Sequence, residues 1–167
     1  MSDPADPVGA TLRLHLVDPE ATQALGRRLG ECLRVGQGLA LVGDLGAGKT
    51  CLARGVGRGL ELDDPDGVCS PTYLLVVEHA GPAPMIHVDA YLPEKTRAFL
   101  EDGGLDYLDE TPGVIVVEWA DRLQDLLPDE TLWVTLLPAG GEDGVGREVV
   151  IEDRTHAFPW LDSAWVG

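Results

Sequence analysis

The sequence predicts a three-layer α/β domain, with a mostly parallel central sheet between helices and an antiparallel hairpin added near the end. Three observations carry that expectation. Short apolar runs and amphipathic stretches alternate through the middle of the chain, the pattern of strand–helix units. The last two apolar segments, "TLWVTLL" and "REVVIED", flank the glycine-rich loop "PAGGEDGVG" as the arms of a hairpin. With 167 residues, 44% of them hydrophobic, there is material for one good core and too little for two ordinary domains. Residues 1–167 are therefore expected to form a single domain, with residues 1–10 a flexible tail.

In order along the chain, "TLRLHLV" alternates apolar and polar residues and reads as a half-buried strand. "DPEATQALGRRLGECLR" reads as a helix with Asp18 as N-cap and Pro19 in the first turn. Ala21, Leu25, Leu29 and Cys32 share one face of it, and Gly36 ends it. "GLALV" is a short buried strand. After the loop from Gly43 a second helix carries Leu52, Ala53, Val56 and Leu60 on one side. Gly55, Gly57 and Gly59 weaken that helix by roughly 1 kcal/mol each relative to alanine. Either they permit close packing or the helix ends early.

An acidic loop over 61–72 leads into "YLLVVEH" and "MIHVDA", two strands joined by the turn "AGPAP". Residues 93–112 are polar and mixed, with a short helix around "GLDYLDE". "GVIVVEW" is a buried strand, and "ADRLQDLLP" a helical turn or two. The tryptophans of the tail "AFPWLDSAWVG" are expected to patch the core.

Composition excludes several classes. Apolar runs such as "LLVV" and "VIVV" fall far short of a membrane span. The start "MSDPADPVGA" lacks the basic and apolar regions of a secretory signal. Cys32, Cys51 and Cys69 make an odd count with no CxxC pair, which fits reduced thiols in the cytoplasm. A net charge of −17 repels polyphosphate chains, so strong direct nucleic-acid binding is not expected.

The sharpest motif is "LVGDLGAGKT". Gly43, Gly48, Lys49 and Thr50 fit the Walker A spacing, with Asp44, Leu45, Gly46 and Ala47 between the glycines and Cys51 after them. An apolar strand precedes the loop and an amphipathic stretch follows it. That context predicts a P-loop NTPase-like fold. The glycines let successive N–H groups face inward as an anion nest, and the following helix aims its positive end at the same place. Lys49 then supplies a mobile charge for the β and γ phosphates of ATP, and the Thr50 hydroxyl is suited to Mg²⁺. The chain holds ten arginines and only two lysines, Lys49 and Lys95, so lysine is kept where a compact charge on a flexible stem is needed.

Other nucleotide readings narrow quickly. "GVGRG" ends in Leu60 where a dinucleotide fingerprint needs its third glycine. A guanine reader needs an N/TKxD stretch, and the chain has no asparagine. A small-molecule P-loop kinase stays open as the alternative; Arg97, beside Lys95, is its candidate lid charge. Asp89 ends "MIHVD" and Glu118 ends "VIVVE", and strand carboxyl ends are where P-loop folds gather ligands. Both are candidates to hold Mg²⁺ or orient an attacking water.

"LVGDLGAGKT", "CSPTY", "IHVDAY" and "VVEWA", in this order and spacing, resemble the TsaE (formerly YjeE) family. These are small bacterial ATPases of tRNA threonylcarbamoyladenosine (t6A) synthesis. The resemblance runs from about Ala21 to the final hairpin. It implies binding of ATP and Mg²⁺, slow hydrolysis alone, and association with a TsaD–TsaB pair that modifies adenosine 37 of tRNA. It implies that Lys49 grips phosphate, that Thr50 and Glu118 handle Mg²⁺, that Thr72 acts as a switch near the γ-phosphate, and that Asp89 supports metal or water. It also implies that Arg147 lies near the nucleotide and that Trp119 shapes the site or the partner face. Three positions depart from the family pattern: Leu92 replaces an arginine, Ala120 a proline, and Cys51 a second threonine. If the family arginine contacts nucleotide or partner, the contact is here either lost or supplied by Arg97.

Overall fold

The computed structural model describes residues 10–124, 127–139, 146–162 and 164–165. Seven strands form one sheet: β1 (Thr11–Leu16), β2 (Gly38–Val42), β3 (Val76–His79), β4 (Met85–Asp89), β5 (Val114–Glu118), β6 (Thr131–Pro138) and β7 (Arg147–Asp153). Their spatial order is β1-β7-β6-β2-β5-β4-β3. The central neighbours β6, β2, β5 and β4 pair in parallel, while β7 and β3 run against them. β1, antiparallel to β7, returns to the common direction. The expected parallel sheet and its terminal hairpin are both present.

Among the described residues, four α-helices complete the layers: α1 (Pro19–Cys32), α2 (Lys49–Gly59), α3 (Pro93–Glu101) and α4 (Gly104–Glu110). Strand alternation divides the sheet's side chains between two cores. Leu39, Leu41, Met85, Val114 and Val116 meet Leu25, Leu29, Leu52 and Val56 of α1 and α2. Ala40, Ile86, Val88, Ile115 and Val117 face the other way, toward Leu108 of α4 and Leu123. Phe158 and Leu161 close the first core, with Trp160 and Trp165 packed against it, so the tail tryptophans patch the core as expected. Buried Asp153 holds that tail by accepting from the backbone N–H groups of Thr155, Ala157 and Phe158.

The Asp18 carboxylate caps α1 through the Ala21 amide at 2.7 Å. α1 ends at Cys32 rather than near Gly36, and Thr22, Gly26 and Gly30 join Leu25 and Leu29 on its buried face. α2 runs through all three of its glycines. Of the two options for them, close packing is what the structure adopts at Gly55 and Gly59. A side chain on Gly55 would collide with the Gln23 carbonyl, and one on Gly59 with the Arg27 carbonyl. Reciprocally, a Cβ on Gly26 would lie 3.0 Å from the Gly55 Cα, and one on Gly30 3.0 Å from the Gly59 Cα. The two helices thus cross backbone to backbone.

Two expectations change. Tyr73 and Leu74 are exposed, and Leu75, at φ 69°, turns the chain, so β3 begins only at Val76. The 93–112 region holds a further helix, α3, started by Pro93. "ADRLQDLLP" opens, as expected, with a helical turn, the 3-10 turn Ala120–Arg122. The tail over 1–9, residues 125–126 and the hairpin loop over 140–145 lie outside the described residues. Among the described residues, no helix is long and apolar enough to cross a membrane.

Candidate functional site

The phosphate loop follows β2, the central strand, and delivers the chain into α2 at the carboxyl edge of the parallel strands. Gly46 (φ +79°) and Gly48 (φ +108°) occupy left-handed backbone that a side chain would strain. Gly48 is also the N-cap of α2, and no side chain caps the helix. Its first N–H groups are therefore left for an anion, with the helix's positive end behind them. Asp44, Leu45 and Gly46 are exposed at the loop's tip, while Gly43, Ala47 and Gly48 are half-buried.

Lys49 is only 4% exposed. Its Nζ donates to the carbonyls of Gly43 (2.7 Å) and Asp44 (2.8 Å), and lies 4.0 Å from the centre of the Trp119 ring. Burial lowers its pKa below 10.5, opposed by the negative field of Glu118, Asp89, Asp44 and Asp121. That field keeps a cation in a nearly enclosed place.

Glu118 ends β5 beneath the loop, nearly fully buried. The Thr50 hydroxyl is 2.9 Å from both of its carboxylate oxygens, and His87 Nε2 is 2.9 Å from Oε1. Asp89 is opposite Glu118 in the β4–β5 register, on the same face. Its Oδ2 accepts from the hydroxyls of Ser70 (2.5 Å) and Thr72 (2.9 Å), and its Oδ1 from the Tyr91 amide (2.8 Å). Asp89 thus ties the "SPT" loop to the sheet. Lys49, Thr50, Ser70, Thr72, Asp89, Glu118 and Trp119 line one cleft of about 400 Å³, with Cys51 and Leu45 at its margin.

Arg147, at the start of β7, donates to the Ala47 carbonyl, and its guanidinium fills the space a Gly48 side chain would need. It clamps the loop from the hairpin side. Cys51 is half-buried and its thiol reaches the Pro19 carbonyl at 3.4 Å. Every candidate residue therefore belongs to the loop, the cleft or the clamp, except Arg97, which is exposed on α3. The arginine beside Tyr91 is Arg122. It donates to the Tyr91 carbonyl and stacks 5.4 Å from the Tyr91 ring and 4.9 Å from that of Trp119.

Sequence reasoning missed His87, Ser70 and Arg122. For His87 a signal existed, since it precedes Asp89 by two residues and a strand puts both on one face. Arg122 reaches Tyr91 only through the turn after β5, which no spacing encodes.

A Mg²⁺ fits this donor set. A hydroxyl and a buried carboxylate converge beside a phosphate nest, and Mg²⁺ prefers one or two such oxygens with waters and substrate phosphates. Among the described residues no three acidic, histidine or cysteine side chains form a metal cage by themselves.

Comparison with known proteins finds similarity over most of the chain. Residues 16–148 match the family model described as TsaE, threonylcarbamoyl adenosine biosynthesis protein. The chain is 36% identical over 151 residues to the Bacillus subtilis tRNA threonylcarbamoyladenosine biosynthesis protein TsaE, covering 90% of each chain. It is 42% identical over 125 residues to the Mycobacterium leprae protein of the same name, covering 70% of this chain and 76% of that one. Among solved structures, that of Bacillus subtilis YdiB superposes with a TM-score of 0.71 and 28% identity over 95% of both chains.

Proposed function

The chain belongs to the TsaE family of threonylcarbamoyl adenosine biosynthesis proteins, and we propose that it serves t6A formation in tRNA as a Mg²⁺-dependent ATPase that works through a TsaD–TsaB-type complex in the cytoplasm. The observation that carries the catalytic part is the Thr50 hydroxyl held 2.9 Å from both oxygens of buried Glu118, directly under the phosphate loop.

In this reading the loop amides of residues 43–51 bind the phosphates, and the Lys49 ammonium leaves its loop carbonyls for the β and γ oxygens. Thr50 and Glu118 would hold Mg²⁺, which when bound neutralises phosphate charge as bonds rearrange. Asp89 holds Thr72 at the cleft wall, so a γ-phosphate contact to Thr72 is transmitted to the "SPT" loop. Arg147 keeps the loop closed from behind, and Trp119 excludes water above Lys49. The charge of −17 fits a subunit whose partner carries the tRNA.

The test is multiple-turnover t6A synthesis reconstituted with and without this protein, read alongside ATP hydrolysis. Synthesis and partner-stimulated hydrolysis are expected from the wild type, and neither from Lys49→Ala. Glu118→Ala is expected to lose turnover more than nucleotide binding. Release of ADP by the isolated chain that depends on a small acceptor, without stimulation by the partner pair, would return the kinase alternative.

A further inference from the structure

Buried His87 grips no phosphate, and a polar side chain inside an otherwise apolar stretch of β4 calls for a partner that justifies it. We propose that His87 is the positioning residue for Glu118, fixing which carboxylate oxygen is presented to the metal; this rests on the reading of Glu118 as a Mg²⁺ ligand. The bond between His87 Nε2 and Glu118 Oε1 is 2.9 Å long, with His87 fully enclosed and Glu118 only 3% exposed. A carboxylate oxygen accepts, so His87 Nε2 is the donor in this bond. Nδ1 is buried without a hydrogen-bond partner among the described residues. The ring's polar function is therefore spent on Glu118.

The strands make that bond directional. His87 is opposite Val116 and Asp89 opposite Glu118, so His87 lies one step back along the same face and approaches the carboxylate from the sheet. The His79 ring, 6.0 Å away centre to centre, stands beside it from β3. Oε1 has two partners, His87 and Thr50, whereas Oε2 has Thr50 alone among the described residues. Oε1 is therefore held from two sides and Oε2 from one. An aliphatic side chain at 87 would fill the same space yet leave the carboxylate free to rotate about its last bond. Donors behind a metal ligand typically change metal affinity by about 10- to 100-fold when removed.

The experiment compares wild type, Glu118→Ala, His87→Leu and His87→Gln of the full chain. It measures the Mg²⁺ concentration for half-maximal ATP turnover, and ADP affinity in the absence of divalent metal. Wild-type turnover must depend on Mg²⁺ and Glu118→Ala must lose that Mg²⁺-dependent turnover; if either fails, the underlying metal reading falls whatever His87 does. With those in place, His87→Leu is expected to need about 10-fold more Mg²⁺ or beyond, with metal-free ADP affinity kept. His87→Gln, whose amide N–H can replace the Nε2 donor, is expected to restore most of the wild-type Mg²⁺ requirement. A wild-type requirement in His87→Leu overturns the proposal. So does a Gln variant as impaired as Leu, or loss of metal-free ADP affinity in both, which would make His87 a packing residue.

Discussion

Alanine at Gly55 is expected to destabilise the protein, although alanine is the better helix former. On propensity alone the substitution gains about 1 kcal/mol. Against that stands the α1–α2 crossing. The new methyl would collide with the Gln23 carbonyl and come within 3.0 Å of the Gln23 Cα, both of them backbone. Carbon contacts settle near 3.5–4.0 Å, so the helices must part by about 1 Å. Overpacking costs about 1–3 kcal/mol where side chains can yield. Here backbone cannot rotate aside, so the upper figure applies and the net loss is about 2 kcal/mol. For a chain of this length that lowers the melting temperature by about 4–8 °C. Gly57 is the internal control: its added Cβ would meet Leu62 Cδ1 at 2.9 Å, the end of a flexible side chain. Gly57→Ala is therefore expected to melt close to wild type. Circular dichroism melts of both variants decide the matter. Gly55→Ala melting at or above Gly57→Ala would refute the argument that backbone contact is what requires glycine there.

Two further outcomes follow from named contacts. Burial first, and His87 second, lower the His79 pKa below 6.5, with Asp64 opposing. The unfolded chain therefore takes up a proton near pH 6.5 that the folded chain refuses until lower pH, and stability falls as pH drops through that window. His79→Phe should flatten this part of a denaturation-midpoint profile; an unchanged acid slope would remove His79 as its source. Asp89→Ala strips the acceptor from Ser70, Thr72 and the Tyr91 amide. It should cost about 2–4 kcal/mol in urea unfolding and depress ATP turnover along with it; full stability and turnover would show that the "SPT" loop stands without this anchor.

Legibility followed the range of the interaction. The phosphate loop is written in eight consecutive residues, Gly43 to Thr50, because its geometry is local. Glu118 and Asp89 were readable as strand ends, since an apolar run stopping at a carboxylate is also a local pattern. Their lateral register, and with it the His87–Glu118 bond, depends on which strands become neighbours, and no spacing states that. "YLLVV" read as strand because its residues are apolar, but the left-handed turn at Leu75, whose carbonyl accepts from the Asp89 amide, cuts the strand short. α3 was hidden by a weak apolar face, with Thr96 its one buried residue. The glycines offered two readings, and only the position of α1 chose between them.

Trp119 brings a different kind of conflict to one position. Its backbone, at φ 59° and ψ 39°, is left-handed and suits glycine, a conformation that costs a side-chain-bearing residue about 1–3 kcal/mol. Its ring packs against the second core and stands beneath two cations, Lys49 and Arg122. Main chain and side chain thus ask for opposite residues. Engineering toward stability that trimmed the ring to relax the turn would also remove the aromatic face that Lys49 and Arg122 rest on, so relaxing the turn and keeping these cation contacts cannot be achieved together at this residue.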